Sequence, residues 1–352
     1  MPARRRLAWT ALLLLVGAAA GLWLYGFGAG GGFYHRLVRA PLAAADAAPY
    51  YRESLLHVGL AHGLGLAGSR DGFRLFVLAF FWTALAALTH TALRRLRLVD
   101  ALLIWGVALT HPAAMIVHAW TCHPDAVLLL WAILLPFAAR PWHVAMLAAL
   151  AAWTNLPMAI VVAAGSLLLW RGFGEPDVRR RGLALLLGLA CGAATCRLTL
   201  WLAGVHLARD RFAAAAAQDP ATLWTRWADV GLPGLYSLHF AHLLWLPALV
   251  VVLRAHRRGA AVALLTCQSL ALVAATLAED TTRIFACLAL PSLLYSLFHG
   301  LHALEQTQDR PRLRPLVVLG ILLSLLGPHQ FAWKGRMHDL AGAHAHLREL
   351  WR

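Results

Sequence analysis

Long apolar runs separated by short arginine clusters constrain this chain more than anything else in it. The runs have the length of a bilayer core, and the clusters sort them by side. Leu7 to Leu24, Leu98 to Val117, Leu183 to Val205, Ala260 to Leu277 and Val317 to Leu326 are apolar at or near spanning length. With 61% of its residues hydrophobic and 13% charged, the chain lies outside the composition of soluble domains. The expected fold is all-α, a polytopic integral membrane helical bundle forming a single domain over residues 1–352. Met1 to Arg6 followed by apolar residues has the look of a signal peptide. The length of the run and the lack of a clean small-residue cleavage site instead predict a retained first span.

The formal charge of +15 is carried almost wholly by arginine, with Lys334 the only lysine. Basic loops held on one side of a membrane account for it, so nucleic acid is not an expected partner. The cysteines, Cys122, Cys191, Cys196, Cys267 and Cys287, form no CxxC pair, which argues against a zinc site or a disulfide framework.

Placing Arg4 to Arg6, Arg94 to Arg97, Arg171 with Arg179 to Arg181, Arg254 to Arg258 and Arg310 to Arg314 in the cytoplasm gives a consistent walk except at 143–170. There a single apolar run is basic at both ends. Asn155 and Pro157 stand at its centre, where proline disfavours helix in the residue before it and asparagine can turn the chain. The reading is a broken helical hairpin with arms 143–154 and 157–170. Each arm rises only about 18 Å against a core of about 30 Å, so its turn must be buried in protein or meet a water-filled cavity. About nine full crossings remain, with the N-terminus cytoplasmic and the C-terminus outside, as in a bacterial inner membrane. Outer loops then fall at 28–73, 119–124, 206–235, 279–283 and 328–352.

Three constellations lie on the outer side. The long first loop, 28–73, carries Asp46, then Tyr50, Tyr51, Arg52 and Glu53. Tyr51, Leu55, Val58 and His62 recur at helical spacing, which predicts an interfacial amphipathic helix. Asp46 also reads as an ordinary loop acid or cap. His123-Pro124-Asp125 occupies a short outer turn, where Asp125 suits a helix N-terminus. His118, Cys122, His123 and Asp125 are of the right types for a divalent metal, although their spacing is not a standard one. Glu279-Asp280-Thr281-Thr282-Arg283 opens a further span. Its arginine and helix amides suit a lipid phosphate, while Asp280 suits orienting the arginine or binding a sugar hydroxyl. Arg197, inside the span 183–205, is a functional candidate by depth, with snorkelling as the simpler account.

A short basic N-terminus, one span, a long outer first loop with an acid before Tyr-Tyr, broken helices and an outer acid-plus-arginine motif together resemble the polytopic GT-C-class membrane glycosyltransferases and bacterial surface-polysaccharide relatives. The resemblance covers most of the chain as topology and three short motifs as residues. It implies a lipid-phosphate-linked sugar donor, Asp46 as catalytic base and Asp125 as a second acid. Arg283, Asp280, Glu279, Arg197, His123, Tyr50 and Arg52 would bind substrate, with membrane lipids and envelope-assembly proteins as partners. Asp46 stands alone rather than in an acidic pair or Asp-x-Asp, which departs from the common form and bears on both catalysis and a divalent metal. Other classes fit parts of the pattern. A broken hairpin and an intramembrane arginine suit a lipid or glycan transporter or flippase. A non-catalytic subunit of a polysaccharide-assembly complex would share the architecture. Eighteen histidines suggest a haem protein, but no repeated spacing of facing pairs is visible.

Overall fold

The computed structural model describes residues 1–28, 32–42, 54–205, 221, 244–255, 257–276, 281–305, 309–327, 329–333 and 336–350. Its elements are α1 (Ala3–Tyr25), α2 (Gly32–Arg39), α3 (Leu55–Gly63), a 3-10 turn (Leu66–Gly68), α4 (Arg70–Arg95), α5 (Leu98–Thr110), α6 (Pro112–Ala119), α7 (Asp125–Phe137), α8 (Pro141–Phe173) and α9 (Val178–Leu202). After α10 (Leu244–Arg254) come α11 (Arg258–Thr276), α12 (Thr281–Ala303), α13 (Asp309–Leu326), a two-stranded antiparallel hairpin of β1 (Phe331–Trp333) and β2 (Arg336–His338), and α14 (Ala341–Leu350).

Among the described residues six helices, α1, α4, α8, α9, α11 and α12, are long and apolar enough to cross a membrane. The pair α5 and α6, bent by 48°, makes a seventh if counted as one broken span. These helices mark the chain as an integral membrane protein. Nine crossings, as read from the apolar runs, are not established among the described residues: α7 is apolar but short, α10 is described only from Leu244, and α13 begins with Asp309, Arg310, Arg312 and Arg314. The α5–α6 bend sits at Pro112, which lacks an amide hydrogen; His111 caps the new helix by accepting from the Ala113 amide.

Burial orders the bundle around α12. That helix is apolar on all sides and is enclosed along most of its length, whereas α1 lies at the periphery with Leu7, Leu15 and Trp23 exposed. A helix hydrophobic all round is either a core pillar or a lipid-facing span, and these two are one of each.

The helix α8 is interrupted at Asn155, whose φ of −164° and ψ of 95° are not helical. The Asn155 carboxamide accepts from the Met158 amide at 3.4 Å, capping the second arm. Pro157 then falls in the first turn of that arm, where no donor is needed. Ala145 and Ala149 pack against Gly188 and Gly192, and the Trp153 indole donates to Thr195, so the first arm runs parallel to α9. Leu167, by contrast, packs against Gly182. On a straight helix residues 145 and 167 would stand about 33 Å apart, yet the glycines they touch are separated by only about 9 Å of helix. The chain therefore folds back at Asn155. Both ends of α8 lie where α7 finishes, since the Trp170 indole donates to the Pro136 carbonyl.

The arginine clusters gather at this same end. Arg314 of α13 makes a two-pronged contact with buried Asp100 of α5, at 2.9 and 3.0 Å. Arg257 donates to the Phe173 carbonyl. Arg181 stacks over Trp170 and stands 3.6 Å from Glu175, which also faces His299 at 3.9 Å. The opposite end carries α2, α3, the strand hairpin and α14. There, of the expected face, Leu55 and Val58 of α3 are buried, Tyr51 lies outside the described residues, and His62 is exposed while His57 and Ala61 are buried instead. The His57 ring stacks on Phe73 and meets Tyr34, so a polar residue is drawn inward by aromatic neighbours that its sequence spacing does not reveal.

Candidate functional site

The end of the bundle away from the arginine clusters holds a buried arginine, Arg74, and a partly buried one, Arg283. Arg283 lies in the first turn of α12 and Arg74 in the second turn of α4. They flank the turn joining α6 to α7, residues 120–124.

Arg283 brings together several residues singled out from the sequence. Its Nη1 donates to Nδ1 of His123 at 2.7 Å, which leaves the imidazole proton on Nε2. Its Nε stands 3.7 Å from Oδ2 of Asp125, and its guanidinium lies over the Trp120 ring. Asp125 is only 2% exposed. It is the first residue of α7, where the helix dipole favours a carboxylate, and it supplies counter-charge to the partly buried guanidinium. Trp120 and Tyr34 both meet the His123 ring edge-on, at 4.6 and 5.1 Å between centroids. The guanidinium is thus oriented by a carboxylate, an imidazole and an aromatic face at a helix N-terminus. A planar, forked guanidinium at a helix N-terminus has the chemistry to hold an anion such as a phosphate.

Arg74, 2% exposed, donates to Asp71 one turn earlier and stands 2.6 Å from Nε2 of His346 on α14. It also reaches the Cys122 thiol. Burial pushes that thiol up from its ordinary pKa, and the Arg74 guanidinium opposes the shift. Cys122 and His123 are adjacent in the turn, so the two arginine clusters share a wall.

Asp46, Tyr50, Arg52, Glu279 and Asp280 lie outside the described residues. Arg197 is not gathered in: it sits on the exposed flank of α9, whose buried side there packs Cys196 and Leu200 with Leu55 and Trp153. The metal grouping is dispersed. His118 is enclosed by Tyr25, Phe81 and Trp82, Cys122 turns to Arg74 and His123 to Arg283. No cluster of three or more metal-ligating side chains occurs among the described residues. Sequence reasoning passed over Arg74, Tyr34, Trp120 and His346. Arg74 had a signal, a charge three residues after Asp71 at the head of an apolar run; the other three are joined to the site only by tertiary packing.

Fold and site together define an integral membrane helical bundle with a buried arginine–aspartate–histidine cluster at one end. No protein-family model, no curated protein and no solved structure matches the chain.

Proposed function

We propose that the chain is a membrane glycosyltransferase that moves a sugar from a polyprenyl-phosphate-type lipid donor to an acceptor on the outer face of a bacterial inner membrane, within cell-envelope polysaccharide synthesis. The observation that carries this reading is the Arg283 cluster, a forked cation at the N-terminus of the central helix, held by His123 and Asp125 at the end opposite the arginine-rich loops. Positive-inside orientation turns that end outward. The GT-C-like architecture, with about nine crossings and α8 as a re-entrant hairpin, belongs to the same proposal.

In the transfer, the acceptor hydroxyl oxygen attacks the anomeric carbon while the bond from that carbon to the phosphate oxygen breaks. The hydroxyl proton passes to a carboxylate, assigned to Asp46, and the departing phosphate keeps the bonding pair and is stabilised by Arg283. One displacement inverts the anomeric centre. Asp125 and His123 serve as positioning residues for the guanidinium, with Asp125 the next candidate for the base. The donor's tail stays among the helices and its phosphate at the rim, which is the reason for embedding the reaction in a membrane.

The test uses a panel of polyprenyl-phosphate sugars, with donor binding and product formation measured separately at equal membrane abundance. Arg283→Ala should weaken donor binding by at least about tenfold, as befits a lost charge-assisted contact. Arg283→Lys should restore it only in part, because an ammonium does not reproduce the fork. Asp46→Asn should bind donor normally and lose about a hundredfold in turnover. No binding of any donor by the wild-type protein would reject the reading. A lipid or glycan transporter is the second reading, favoured by the interruption of α8 at Asn155.

A further inference from the structure

The segment after α13 folds back over the end of the bundle that carries Arg283. Phe331 of β1 packs edge-on against Trp120, the ring that also bears on His123 and Arg283. From there α14 crosses to α1 and α4. The Phe27 amide donates to the Ala343 carbonyl at 3.1 Å, the His346 ring stacks on Phe27, and His346 approaches Arg74 and Asp71. Gly26, at φ +73°, lies against the Ala343 and His344 backbone where any Cβ would collide, so α14 is seated closely on the end of α1.

The seat is nonetheless shallow. Within α14 only Ala343 is buried, and Ala341, Gly342, Arg348, Glu349 and Leu350 are exposed. A helix of 10 residues has little stability apart from its docking. Its side-chain polar attachment runs through His346, to Arg74 at 2.6 Å and to Asp71 at 3.4 Å, and the Asp71 side chain is 41% exposed and open to competing water. Directly inside that attachment is Cys122, fully buried and within reach of Arg74.

We infer that the strand hairpin and α14 form a cap that closes over the Arg283 site and lifts to admit its ligand, with His346 as the latch to Arg74 and Asp71. The cap exposes Trp120 and the 120–124 turn when it opens and excludes water from the arginine cluster when it shuts. The ligand it admits rests on the lipid-phosphate reading above; the motion does not.

Cys122 reports the motion without any substrate. The purified full chain is treated with a thiol reagent, and modification of each cysteine peptide is followed by mass spectrometry. His346→Ala should accelerate modification of Cys122 by about tenfold, the factor set by one lost hydrogen bond to a charged group, with Cys267 and Cys287 as slow as before. Joining α14 to α1 through a disulfide between Phe27→Cys and His346→Cys should slow Cys122 below the wild-type rate, with recovery on reduction. An unchanged Cys122 rate in both variants overturns the cap, as does parallel acceleration of Cys267 and Cys287, which marks general loosening. Gated Cys122 reactivity in a protein that binds no lipid-phosphate donor keeps the cap and rejects the lipid-phosphate reading instead.

Discussion

Arg314 and Arg283 are each held by a buried aspartate, and the geometry of the two pairs assigns them different work. Arg314 meets both oxygens of Asp100 at 2.9 and 3.0 Å, joining the starts of α5 and α13. Such a fork on a buried carboxylate acts as a pin between the two helices. Arg283 stands 3.7 Å from Asp125 and gives an N–H to His123, and it is this guanidinium that the proposed phosphate contact uses. Asp100→Asn should destabilise the bundle by about 3 kcal/mol, because it leaves a partly buried guanidinium uncompensated. Asp100→Leu combined with Arg314→Met should recover most of that loss, since burying two apolar side chains avoids the desolvation of two charges. Thermal unfolding in detergent, read by protease resistance, gives both values; a double variant no better than Asp100→Asn would show that the pin contributes more than compensation of charge.

Among the elements, α8 has the most to lose from a local change. Its fold-back depends on one non-helical residue, Asn155, that caps the second arm, and on Pro157 at a position needing no amide hydrogen. Asn155→Leu with Pro157→Ala removes the cap, worth about 1 kcal/mol, and restores the helical hydrogen bond that proline withholds. A continuous helix then competes with the hairpin. Separation of its arms would break the close packing of Ala145 and Ala149 on Gly188 and Gly192. The expected outcome is low membrane accumulation with protease-sensitive loops. Wild-type accumulation and wild-type activity in the double variant would show the break to be incidental.

On the scale of the whole molecule, the placement of both ends of α8 beside the end of α7 makes a statement about sides that a straight crossing cannot satisfy. Single cysteines at Ala139 and Asp177, before and after α8, should both resist an impermeant reagent added outside intact cells. A cysteine at Gly342, on the exposed side of α14, should react. Opposite behaviour of 139 and 177 would make α8 a true crossing and invert every later loop; protection of 342 would put the Arg283 site on the cytoplasmic side and end the outer-face reading.

The apolar runs, the arginine clusters and the Asn155–Pro157 break are legible in the sequence because they are local: hydropathy over a helix length, charge beside it, and backbone chemistry at one residue each act without a distant partner. Arg283, His123 and Asp125 could be picked out singly for the same reason, as charged or polar groups beside apolar runs. Their union, the addition of Trp120 and Tyr34, the placement of Arg197 on an outer flank and the inward turn of His57 were decided only by tertiary structure. A guanidinium finds its imidazole 160 residues away in the chain through the packing of α12 against α7, and the folding back of α14 onto α1 and α4 depends on contacts that no local periodicity encodes.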